Sequence, residues 1–422
     1  MEQTRRRIAV VGSGVAGLTA AYLLQRTSDV TLYEADDRLG GHSHTHEVAS
    51  GNGQTINVDS GFIVHNEVTY PHLRRLLLEL GVTTQDSDMS MSISCAGCGL
   101  EYAGGRGLSG LLPSLRAVSK PRYLAMLAAV TRFHRRAHDV LDGPDDELTL
   151  TQFLRTNRFS DYFAAHFLSP LVAAVWSCAP TAAGDYPAKY LFTFLHNHGM
   201  LTVTGAPQWK TIVGGSVRYV EQAAKSLTAV QTSTPVRSVS RAGRGVIVRD
   251  DSDAATHFDG AVIAAHPHQA LDMLAEATRA ERDILAAIGY TKNPTVLHTD
   301  ASLLPRTKRA QASWNYRLPY CSAHPTGVQL SYNMNRLQRL ESPETFVVTL
   351  NDENVIDPSK IIETMVYEHP VYTVDSVDAR HRLAELNDGT LAYAGAYHGW
   401  GFHEDGCRSG AEASASLGGQ PW

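Results

Sequence analysis

Residues 8–25 read IAVVGSGVAGLTAAYLLQ and predict a strand, a glycine-rich turn and a helix in direct succession. Gly12 permits the tight turn, Gly14 removes a side chain so that backbone N–H groups can approach a diphosphate, and Gly17 lets the helix pack closely against the strand. The N-terminus of the helix then faces the diphosphate, where the helix dipole stabilises negative charge. The stretch therefore predicts a Rossmann-type βαβ unit that binds a dinucleotide.

A second strand supports this prediction. Val30–Tyr33 is β-branched and aromatic, and it ends at Glu34, about twenty residues beyond the glycines. A carboxylate at this position accepts hydrogen bonds from the ribose hydroxyls and repels the 2′-phosphate of NADP. An ordinary turn between a strand and a helix is the alternative, and it does not account for the acid.

The composition is that of a globular protein without a nucleic-acid partner. The chain has 422 residues, 43% hydrophobic and 19% charged, and this length suits two hydrophobic cores rather than one. A formal net charge of -6 provides no basic field for nucleic acid. Five cysteines are too few for a disulfide framework and fit a reducing compartment, so we expect a cytoplasmic protein.

The start of the chain superficially imitates a secretion signal, because Arg5, Arg6 and Arg7 precede an apolar run. Glycines interrupt this run where the turn requires them, and no cleavage site of small residues follows before Tyr33. We therefore expect no signal peptide. No stretch reaches the ~20 apolar residues that a membrane-spanning helix needs.

Two further glycine motifs follow the first unit, namely Gly40-Gly41 and Asp59-Ser60-Gly61. With them, Ile8–Gly61 resembles the flavin-containing amine oxidase and phytoene desaturase superfamily. The resemblance implies that the dinucleotide is FAD, that the paired glycines pass close to it, and that the Asp-x-Gly element lies on the flavin side. In this superfamily the residue after the paired glycines is commonly Arg, whereas this chain has His42.

The middle of the chain extends the resemblance. Gly214-Gly215 leads into a predicted helix, as in the family's second FAD segment. The Pro235-Val236 pair is then implied to contact the adenine, and the Ala264-Ala265 pair is implied to lie near the phosphates.

The end of the chain resembles the family's closing motif. Thr390–Ala394 predicts a strand, and Gly401–Gly406 opens a predicted helix with Asp405 as its N-cap. A helix starting near Gly406 is implied to direct N–H groups and a positive dipole at the flavin. Many relatives carry an acid that contacts the cofactor at the position after Gly395. In this chain that position is Ala396, so the resemblance does not imply that contact here.

These features predict an α/β protein in which a Rossmann-type FAD-binding domain is interleaved with an α+β substrate domain, as in amine oxidases. We expect the FAD-binding domain to comprise residues 1–85, 206–270 and 386–422, and the substrate domain to comprise residues 86–205 and 271–385. The expected cofactor-binding residues are Gly12, Ser13, Gly14, Ala16, Gly17, Glu34, Ala35, Gly40, Gly41, His42, Asp59, Ser60, Gly61, Phe62, Val236, Ala264, Gly395, Phe402, Asp405 and Gly406.

The expected substrate domain contains aromatic strands. Gln311–Arg317 and Val328–Asn335 alternate and predict two antiparallel strands, and Phe346–Leu350 can add a third. An apolar sheet over a flavin suits hydride removal from a hydrocarbon, because that chemistry depends on positioning more than on charge. Ordinary core packing is the alternative. The chain also resembles a small bacterial branch associated with cyclopropane-fatty-acyl-synthase-like methyltransferases, which implies a fatty-acyl or lipid substrate and a methyltransferase partner.

His65, Tyr316 and His398 are the candidate catalytic residues, although the flavin itself carries out the chemistry. His65 and His398, together with His403, lie within or just after segments that resemble flavin-contacting motifs. A neutral imidazole accepts protons near pH 7. A purely structural role is the alternative for each.

The segment Tyr102–His138, called here the basic segment, contains seven Arg or Lys residues and no acid. From Tyr123 onward its apolar residues recur at helical spacing, with Arg122, Arg132 and Arg136 on the opposite face. Such a helix can rest on an anionic membrane, here the inner membrane face, and give access to lipid-borne substrates. An ordinary solvated face is the alternative.

Two sets of potential metal ligands are present, and we expect no metal at either. Cys95-Ala96-Gly97-Cys98 has redox spacing, but it follows no thioredoxin-like strand and lacks a second cysteine pair for zinc. His42, His44 and His46 alternate as in a strand, without a further ligand that the sequence places beside them.

The sequence leaves other reactions open. A flavin-dependent isomerase would return the hydride to the same molecule, an amine oxidase would release an aldehyde and peroxide, and a non-catalytic flavoprotein would support a methyltransferase without turnover.

Overall fold

The computed structural model describes residues 5–144, 147–176, 184, 187–201, 207–321 and 329–422. Its strands are β1 (Arg6–Val11), β2 (Ser28–Tyr33), β3 (Thr45–Ala49), β4 (Thr55–Asp59), β5 (His65–Asn66), β6 (Thr84–Asp86), β7 (Met91–Cys95), β8 (Leu100–Gly104), β9 (Trp209–Ile212), β10 (Ala229–Gln231), β11 (Val236–Ala242), β12 (Gly245–Asp250), β13 (Ala255–Phe258), β14 (Gly260–Ile263), β15 (Tyr290–His298), β16 (Trp314–Leu318), β17 (Leu330–Asn333), β18 (Val347–Leu350), β19 (Ile361–Pro370) and β20 (Leu391–Tyr393).

Its α-helices are α1 (Val15–Leu24), α2 (Pro71–Glu79), α3 (Gly107–Leu111), α4 (Leu115–Val118), α5 (Pro121–Leu141), α6 (Leu150–Thr156), α7 (Asp161–Phe163), α8 (Ser169–Trp176), α9 (Ala188–Asn197), α10 (Val217–Ala224), α11 (Pro267–Met273), α12 (Arg279–Ala286), α13 (Met334–Leu337), α14 (Val374–Arg382) and α15 (His403–Ser416). A π-helical turn, Ala164–Leu168, connects α7 to α8.

A parallel five-stranded sheet in the order β10-β2-β1-β14-β20 carries the first layer of the fold. β1 lies in the middle, where Val10 is opposite Leu32 of β2 and Val262 of β14. All three side chains are fully buried, as the continuous apolar runs of a parallel sheet require. The predicted strand–turn–helix–strand unit is confirmed, and with it the α/β fold class.

The two ends of the chain meet on this sheet, where α15 packs against α1. A Cβ at Gly406 would lie 2.6 Å from Val15 Cγ1, and one at Gly410 would lie 2.3 Å from the Ala16 carbonyl oxygen. Glycine at both positions therefore permits the close approach of the two helices.

The predicted start of α15 was wrong by three residues. The helix begins at His403 with Phe402 as its N-cap, and Asp405 lies inside the first turn. The Asp405 carboxylate accepts hydrogen bonds from the Trp400 and Phe402 backbone N–H groups, at 3.0 and 3.1 Å. Gly401, with φ of +87°, reverses the chain just before the helix, so the first turn forms earlier than a cap at Asp405 would allow.

A seven-stranded sheet in the order β19-β15-β18-β17-β16-β7-β8 forms the second large layer. β16 and β17 pair antiparallel, with Trp314 opposite Tyr332, and β18 follows β17, so the three predicted strands are confirmed. β7 and β8 come from a much earlier part of the chain, and β7 joins β16 in parallel. This sheet is therefore assembled from two distant segments.

Helices α5 to α9 cover one part of the seven-stranded sheet. The predicted amphipathic helix is confirmed as α5, which buries Tyr123, Met126, Phe133 and Ala137. Phe133 contacts a group of other buried phenylalanines at centroid distances of 5.6–6.0 Å, namely Phe153, Phe163 and Phe192. None of the helices within the described residues is both long enough and apolar enough to cross a membrane.

Candidate active site

A cavity of about 1100 Å³ is lined by residues of both large sheets. Pockets that hold a drug-sized ligand usually measure about 300–1000 Å³. The cavity is therefore large enough for an extended ligand.

Most of the predicted cofactor-binding residues line this cavity. They are Gly12, Ser13, Gly14, Ala16, Glu34, Ala35, Gly41, His42, Ser60, Gly61, Phe62, Val236, Ala264, Gly395 and Phe402. Five predicted residues lie outside the lining, namely Gly17, Gly40, Asp59, Asp405 and Gly406.

The turn Gly12–Ala16, called here the glycine cradle, joins β1 to α1. Gly12 has φ of +97°, and its N–H donates to the Tyr33 carbonyl at 2.8 Å. A Cβ at Gly17 would lie 1.9 Å from the Gly12 oxygen, so only glycine lets α1 start here. A Cβ at Gly14 would meet no atom within 4 Å, because that position faces the cavity.

The first turn of α1 supplies free donors to the cradle. The first intrahelical hydrogen bond runs from the Leu18 N–H to the Gly14 oxygen, and no side chain of the described residues caps the start of α1. The N–H groups before Leu18 therefore lack helical acceptors, as at any helix start, and the helix dipole adds positive potential there. This arrangement suits a diphosphate.

Glu34 lies beside the cradle at the end of β2. Its Oε2 accepts hydrogen bonds from the Ser13 N–H, at 2.9 Å, and from the Ser13 hydroxyl, while Oε1 accepts from the Asp36 N–H at 3.0 Å. The carboxylate is therefore held at the cavity wall next to the glycines.

The paired glycines close the other side of the cradle. Gly40 and Gly41 have φ of +111° and +56°, and a Cβ at Gly41 would lie 3.2 Å from Gly14 Cα. The approach is closer still at Gly61, whose Cβ would lie 2.1 Å from the His42 oxygen. Both glycine motifs therefore keep the backbone close to the cavity.

The cavity is also lined by imidazole groups in a buried aromatic setting. The His42 ring lies 5.1 Å from the Tyr367 ring and 5.5 Å from the His369 ring. Burial holds the pKa of His42 well below its usual range and lowers that of His369 to about 4. His403 stacks on Phe62 at 3.7 Å, and burial lowers its pKa to about 3. These imidazoles are neutral at pH 7 and supply no cation.

Arg38 is a lining residue that the sequence analysis missed. Its guanidinium donates to the Gly41 carbonyl at 2.9 Å and so lies beside the cradle. The signal that could have identified Arg38 from the sequence was its position between Glu34 and the paired glycines. With His42 neutral, Arg38 is a lining cation near the place where the superfamily commonly carries Arg.

Asp59 is placed behind the cavity wall rather than in it. The carboxylate is 1% exposed and accepts hydrogen bonds from the Ser216 N–H, at 3.0 and 3.1 Å, from the Thr45 hydroxyl and from Gln338 Nε2. Burial raises its pKa to about 6. Its oxygens tie β4 to the start of α10, so the structure gives it a positioning role around Ser60 and Gly61.

None of the three candidate catalytic residues lines the cavity. His65 is 1% exposed on β5, and burial lowers its pKa to about 4. Tyr316 is 1% exposed among the residues under the helical cover. His398 is half-buried, and desolvation lowers its pKa to about 3. His65 and Tyr316 are enclosed by the surrounding core, and all three side chains lie outside the cavity lining.

One end of the cavity is apolar and aromatic, and most of its residues were not singled out from the sequence. This apolar end is lined by Met89, Ala174, Val175, Phe194, Met200, Trp209, Trp314, Tyr332, Leu350 and Met365. Trp314, Tyr332 and Leu350 were recognised as strand residues, and the others come from segments whose sequence shows only ordinary core residues.

The residues present fit FAD. Gly14 leaves open space where a Cβ would stand, unpaired helix N–H groups meet there, and Glu34 lies alongside. His42 Nε2 is buried and has no hydrogen-bond partner within the described residues, which suits contact with a polar cofactor.

Comparison with known proteins agrees with this fit. Residues 15–298 match the family described as flavin containing amine oxidoreductase. Coproporphyrinogen III oxidase of Mycobacterium leprae is 26% identical over 305 residues, which are 67% of this chain and 64% of that protein. The chain therefore spans slightly less than two thirds of that curated relative.

Solved structures share the fold. Cyclohexylamine oxidase from Brevibacterium oxydans superposes with a TM-score of 0.69 at 17% identity, covering 98% of both chains. A fatty acid isomerase from P. acnes superposes with a TM-score of 0.66, also at 17% identity and 98% coverage of both chains. Because the family match extends over more than half of its residues, the chain belongs to the flavin-containing amine oxidoreductase family, and its cofactor is FAD.

Proposed function

We propose that the protein is an FAD-dependent oxidoreductase that removes a hydride from an apolar substrate, for which a fatty-acyl lipid is the best fit. Residues 1–85, 206–270 and 386–422 would bind the cofactor, and residues 86–205 and 271–385 would bind the substrate. FAD supplies the hydride acceptor when bound. The side chains of the protein position the two molecules and exclude water.

The cofactor contacts follow from the lining. We propose that the glycine cradle binds the diphosphate, Glu34 the ribose and Val236 the adenine. Arg38 would balance diphosphate charge in place of the neutral His42. Predicted residues outside the lining would act by packing, as Gly17 does beneath the cradle.

The observation that carries the substrate proposal is the apolar end of the cavity. Strands β16, β17 and β18 contribute Trp314, Tyr332 and Leu350, and the region of α9 contributes Phe194 and Met200. Such a wall binds a hydrocarbon through area and shape, and it keeps water from the site of hydride transfer.

The distribution of carboxylates favours an apolar substrate over an amine. Among the described residues, the carboxylates that line the cavity are Glu34, Asp36, Asp272 and Glu368, and none lies on β16, β17, β18 or α9. Glu34 is held by Ser13, and Glu368 Oε2 lies 2.9 Å from His266 Nδ1. A substrate ammonium at the apolar end would therefore meet no lining carboxylate there.

Anaerobic flavin reduction tests this proposal. The FAD-loaded protein is mixed with unsaturated and methyl-branched acyl lipids and with simple amines, and bleaching of the flavin is followed. We expect bleaching by a lipid, and about a tenfold slower reduction in Trp314→Ala, a loss of about 1.4 kcal/mol. Tyr320→Ala is the control, because Tyr320 is 68% exposed and outside the lining. Bleaching by amines alone, with peroxide and aldehyde in air, would overturn the lipid substrate.

Two other outcomes are distinguishable in the same experiment. A double-bond isomerase would convert many equivalents of lipid without an external acceptor; the similar P. acnes structure is that of a fatty acid isomerase. A non-catalytic partner of a lipid methyltransferase would bind FAD and show no bleaching, alone or with the methyltransferase.

A group of exposed apolar side chains in the proposed substrate domain supports contact with an anionic membrane. Leu108 is 76% exposed and Leu115 is 90% exposed, and three more exposed apolar side chains lie nearby in sequence, namely Leu112, Val118 and Leu124. Arg116 and Arg122 are exposed among them, without an acid in the basic segment. Apolar insertion combined with cationic attraction suits an anionic lipid surface.

The membrane proposal is tested by co-sedimentation with vesicles. The double variant Leu108→Glu/Leu115→Glu is expected to lose binding to vesicles that contain phosphatidylserine. Leu78→Glu is the matched control, since Leu78 is 81% exposed on α2. Equal sedimentation of the double variant and the wild type, or none of either, would contradict membrane contact.

A further inference from the structure

A cluster of three cysteines and one histidine lies outside the cavity. Cys95, Cys98, His166 and Cys321 each direct one ligand atom to the same place, and these atoms all lie within 4.8 Å of one another. Cys95 Sγ is 3.7 Å from Cys321 Sγ, and Cys98 Sγ is 3.6 Å from His166 Nε2. None of the four residues lines the cavity.

These separations match a tetrahedral zinc site. With Zn–S bonds of about 2.3 Å and a Zn–N bond of about 2.0–2.1 Å, tetrahedral angles place two sulfurs about 3.8 Å apart and a sulfur and a nitrogen about 3.6 Å apart. We propose that Cys95, Cys98, His166 and Cys321 bind one Zn²⁺ as a closed, structural Cys₃His site.

The turn between β7 and β8 presents two cysteine side chains to the same place, because Cys95 ends β7 and Cys98 lies three residues later in the turn. Gly99 has φ of +63°, which turns the chain into β8.

The third cysteine reaches this turn from the end of β16. A Cβ at Gly97 would lie 2.9 Å from the Cys321 backbone nitrogen, so glycine between the first two cysteines allows this approach. Zinc was not expected from the sequence because no second cysteine pair follows the first. The other two ligands come from distant parts of the chain, 71 and 226 residues beyond Cys95.

His166 is oriented as a metal ligand. It is fully buried in the π-helical turn, and its Nδ1 lies 3.1 Å from the Tyr162 carbonyl oxygen. An Nδ1–H that donates to this carbonyl leaves the Nε2 lone pair directed at the sulfurs, which is the usual arrangement behind a metal-bound imidazole. The Tyr162 ring stacks on His166 at 3.9 Å and fixes the ring plane.

The cationic side chains around the cluster suit a bound zinc ion with three thiolate ligands. Binding of Zn²⁺ to three thiols and one imidazole releases three protons and leaves a net charge of −1 on the site. Lys120 Nζ donates to the Cys98 carbonyl at 2.7 Å, and the Arg116 guanidinium lies beside Gly99. Both cations belong to the basic segment, so the positive charge of that segment compensates the site.

Metal content and cobalt spectroscopy test the site. Holoprotein purified without a chelator or a metal-affinity tag is expected to contain about one zinc per chain, and Co²⁺ exchanged into it is expected to show the visible absorption of tetrahedral thiolate ligation. Cys98→Ser and His166→Ala are expected to retain at least about tenfold less zinc, in line with the loss of one ligand.

Matched controls are Cys407→Ala and His196→Ala, which remove a cysteine and a histidine that are not part of the cluster. Both are expected to keep full zinc. Bound flavin is measured in every preparation, so a variant that keeps FAD but loses zinc shows that its fold is retained. If a variant fails to fold, the wild type is tested instead. Zinc is removed from it with a chelator and then added back, and its melting temperature is expected to fall and then recover.

Three results would overturn the proposal. One is wild-type protein with no zinc after expression in zinc-supplemented medium and no cobalt spectrum after exchange. The second is a Cys95–Cys321 disulfide found by mass spectrometry without reductant, which would assign the cluster to redox chemistry. The third is zinc retention in Cys98→Ser equal to that in Cys407→Ala.

Discussion

The variant Gly14→Ala is expected to weaken FAD binding while the protein still folds. Gly14 has φ of −61° and ψ of 175°, which alanine adopts without strain, and its Cβ would meet no atom of the described residues within 4 Å. The added methyl group would point into the cavity, at the N–H groups of the first turn of α1. The substitution therefore leaves the packing of the protein unchanged and blocks the approach of a diphosphate.

The expected magnitudes follow from these contacts. Replacing an N-cap glycine with alanine costs about 1 kcal/mol of folding stability. Losing one or two charge-assisted hydrogen bonds to the diphosphate costs about 2–4 kcal/mol of binding, which raises the Kd for FAD by about 30-fold to several hundredfold. The expected loss of FAD-binding free energy thus exceeds the expected loss of folding stability of the apoprotein.

Isothermal titration of apoprotein with FAD gives the Kd, and urea unfolding of the apoprotein gives the stability. Gly289→Ala is the control, because this exposed glycine also has open space at its Cβ and an ordinary φ. Gly17→Ala is the contrasting variant, whose Cβ would lie 1.9 Å from the Gly12 oxygen and should prevent stable folding. An unchanged Kd in Gly14→Ala would refute the assignment of the glycine cradle.

Three further predictions address the ribose contact, the buried histidine and the helical cover. Glu34→Gln is expected to raise the Kd for FAD about tenfold, whereas Glu47→Gln, at an exposed position, leaves it unchanged by the same titration. The folded pKa of His65 is about 4, below its unfolded value, so the stability it contributes is present above pH 6.5 and is lost as the pH falls toward 4. Between pH 6.5 and 5.5, the free energy of unfolding measured in urea should therefore fall by about 1 kcal/mol more in the wild type than in His65→Leu. Equal decreases in the two proteins would contradict this prediction. Phe133→Ala is expected to cost about 3–5 kcal/mol by the same method, and Leu124→Ala, 42% exposed, less than about 0.5 kcal/mol.

The part of the site that could be predicted from sequence is the part made by local backbone. The turn from Gly12 to Gly17 could be predicted from adjacent residues, because Gly12 takes a positive φ in the turn and Gly17 must pass close to the Gly12 oxygen. Glu34 could also be predicted, since the end of a parallel strand fixes where its side chain lies.

Prediction was weaker where a residue's role depends on a distant partner. Asp59 belongs to a motif that resembles a flavin-side element, but Ser216 and Gln338 draw its carboxylate behind the cavity wall. The start of α15 was misplaced for a local reason, because Gly401 turns the chain before the helix and the Asp405 carboxylate accepts from the Phe402 N–H from inside the first turn.

The proposed zinc site and the glycine cradle are connected to different walls of the same cavity. The π-helical turn that holds His166 continues into α8, which contributes Ala174 and Val175 to the apolar end. Cys321 follows β16, which contributes Trp314. Zinc would therefore fix the relative position of a helix and a strand that enclose the substrate end, while the glycine cradle on the parallel sheet lies on separate elements. Shape complementarity to an apolar substrate depends on that relative position more than on any single polar contact, because a hydrocarbon offers no directional bond to correct a displaced wall.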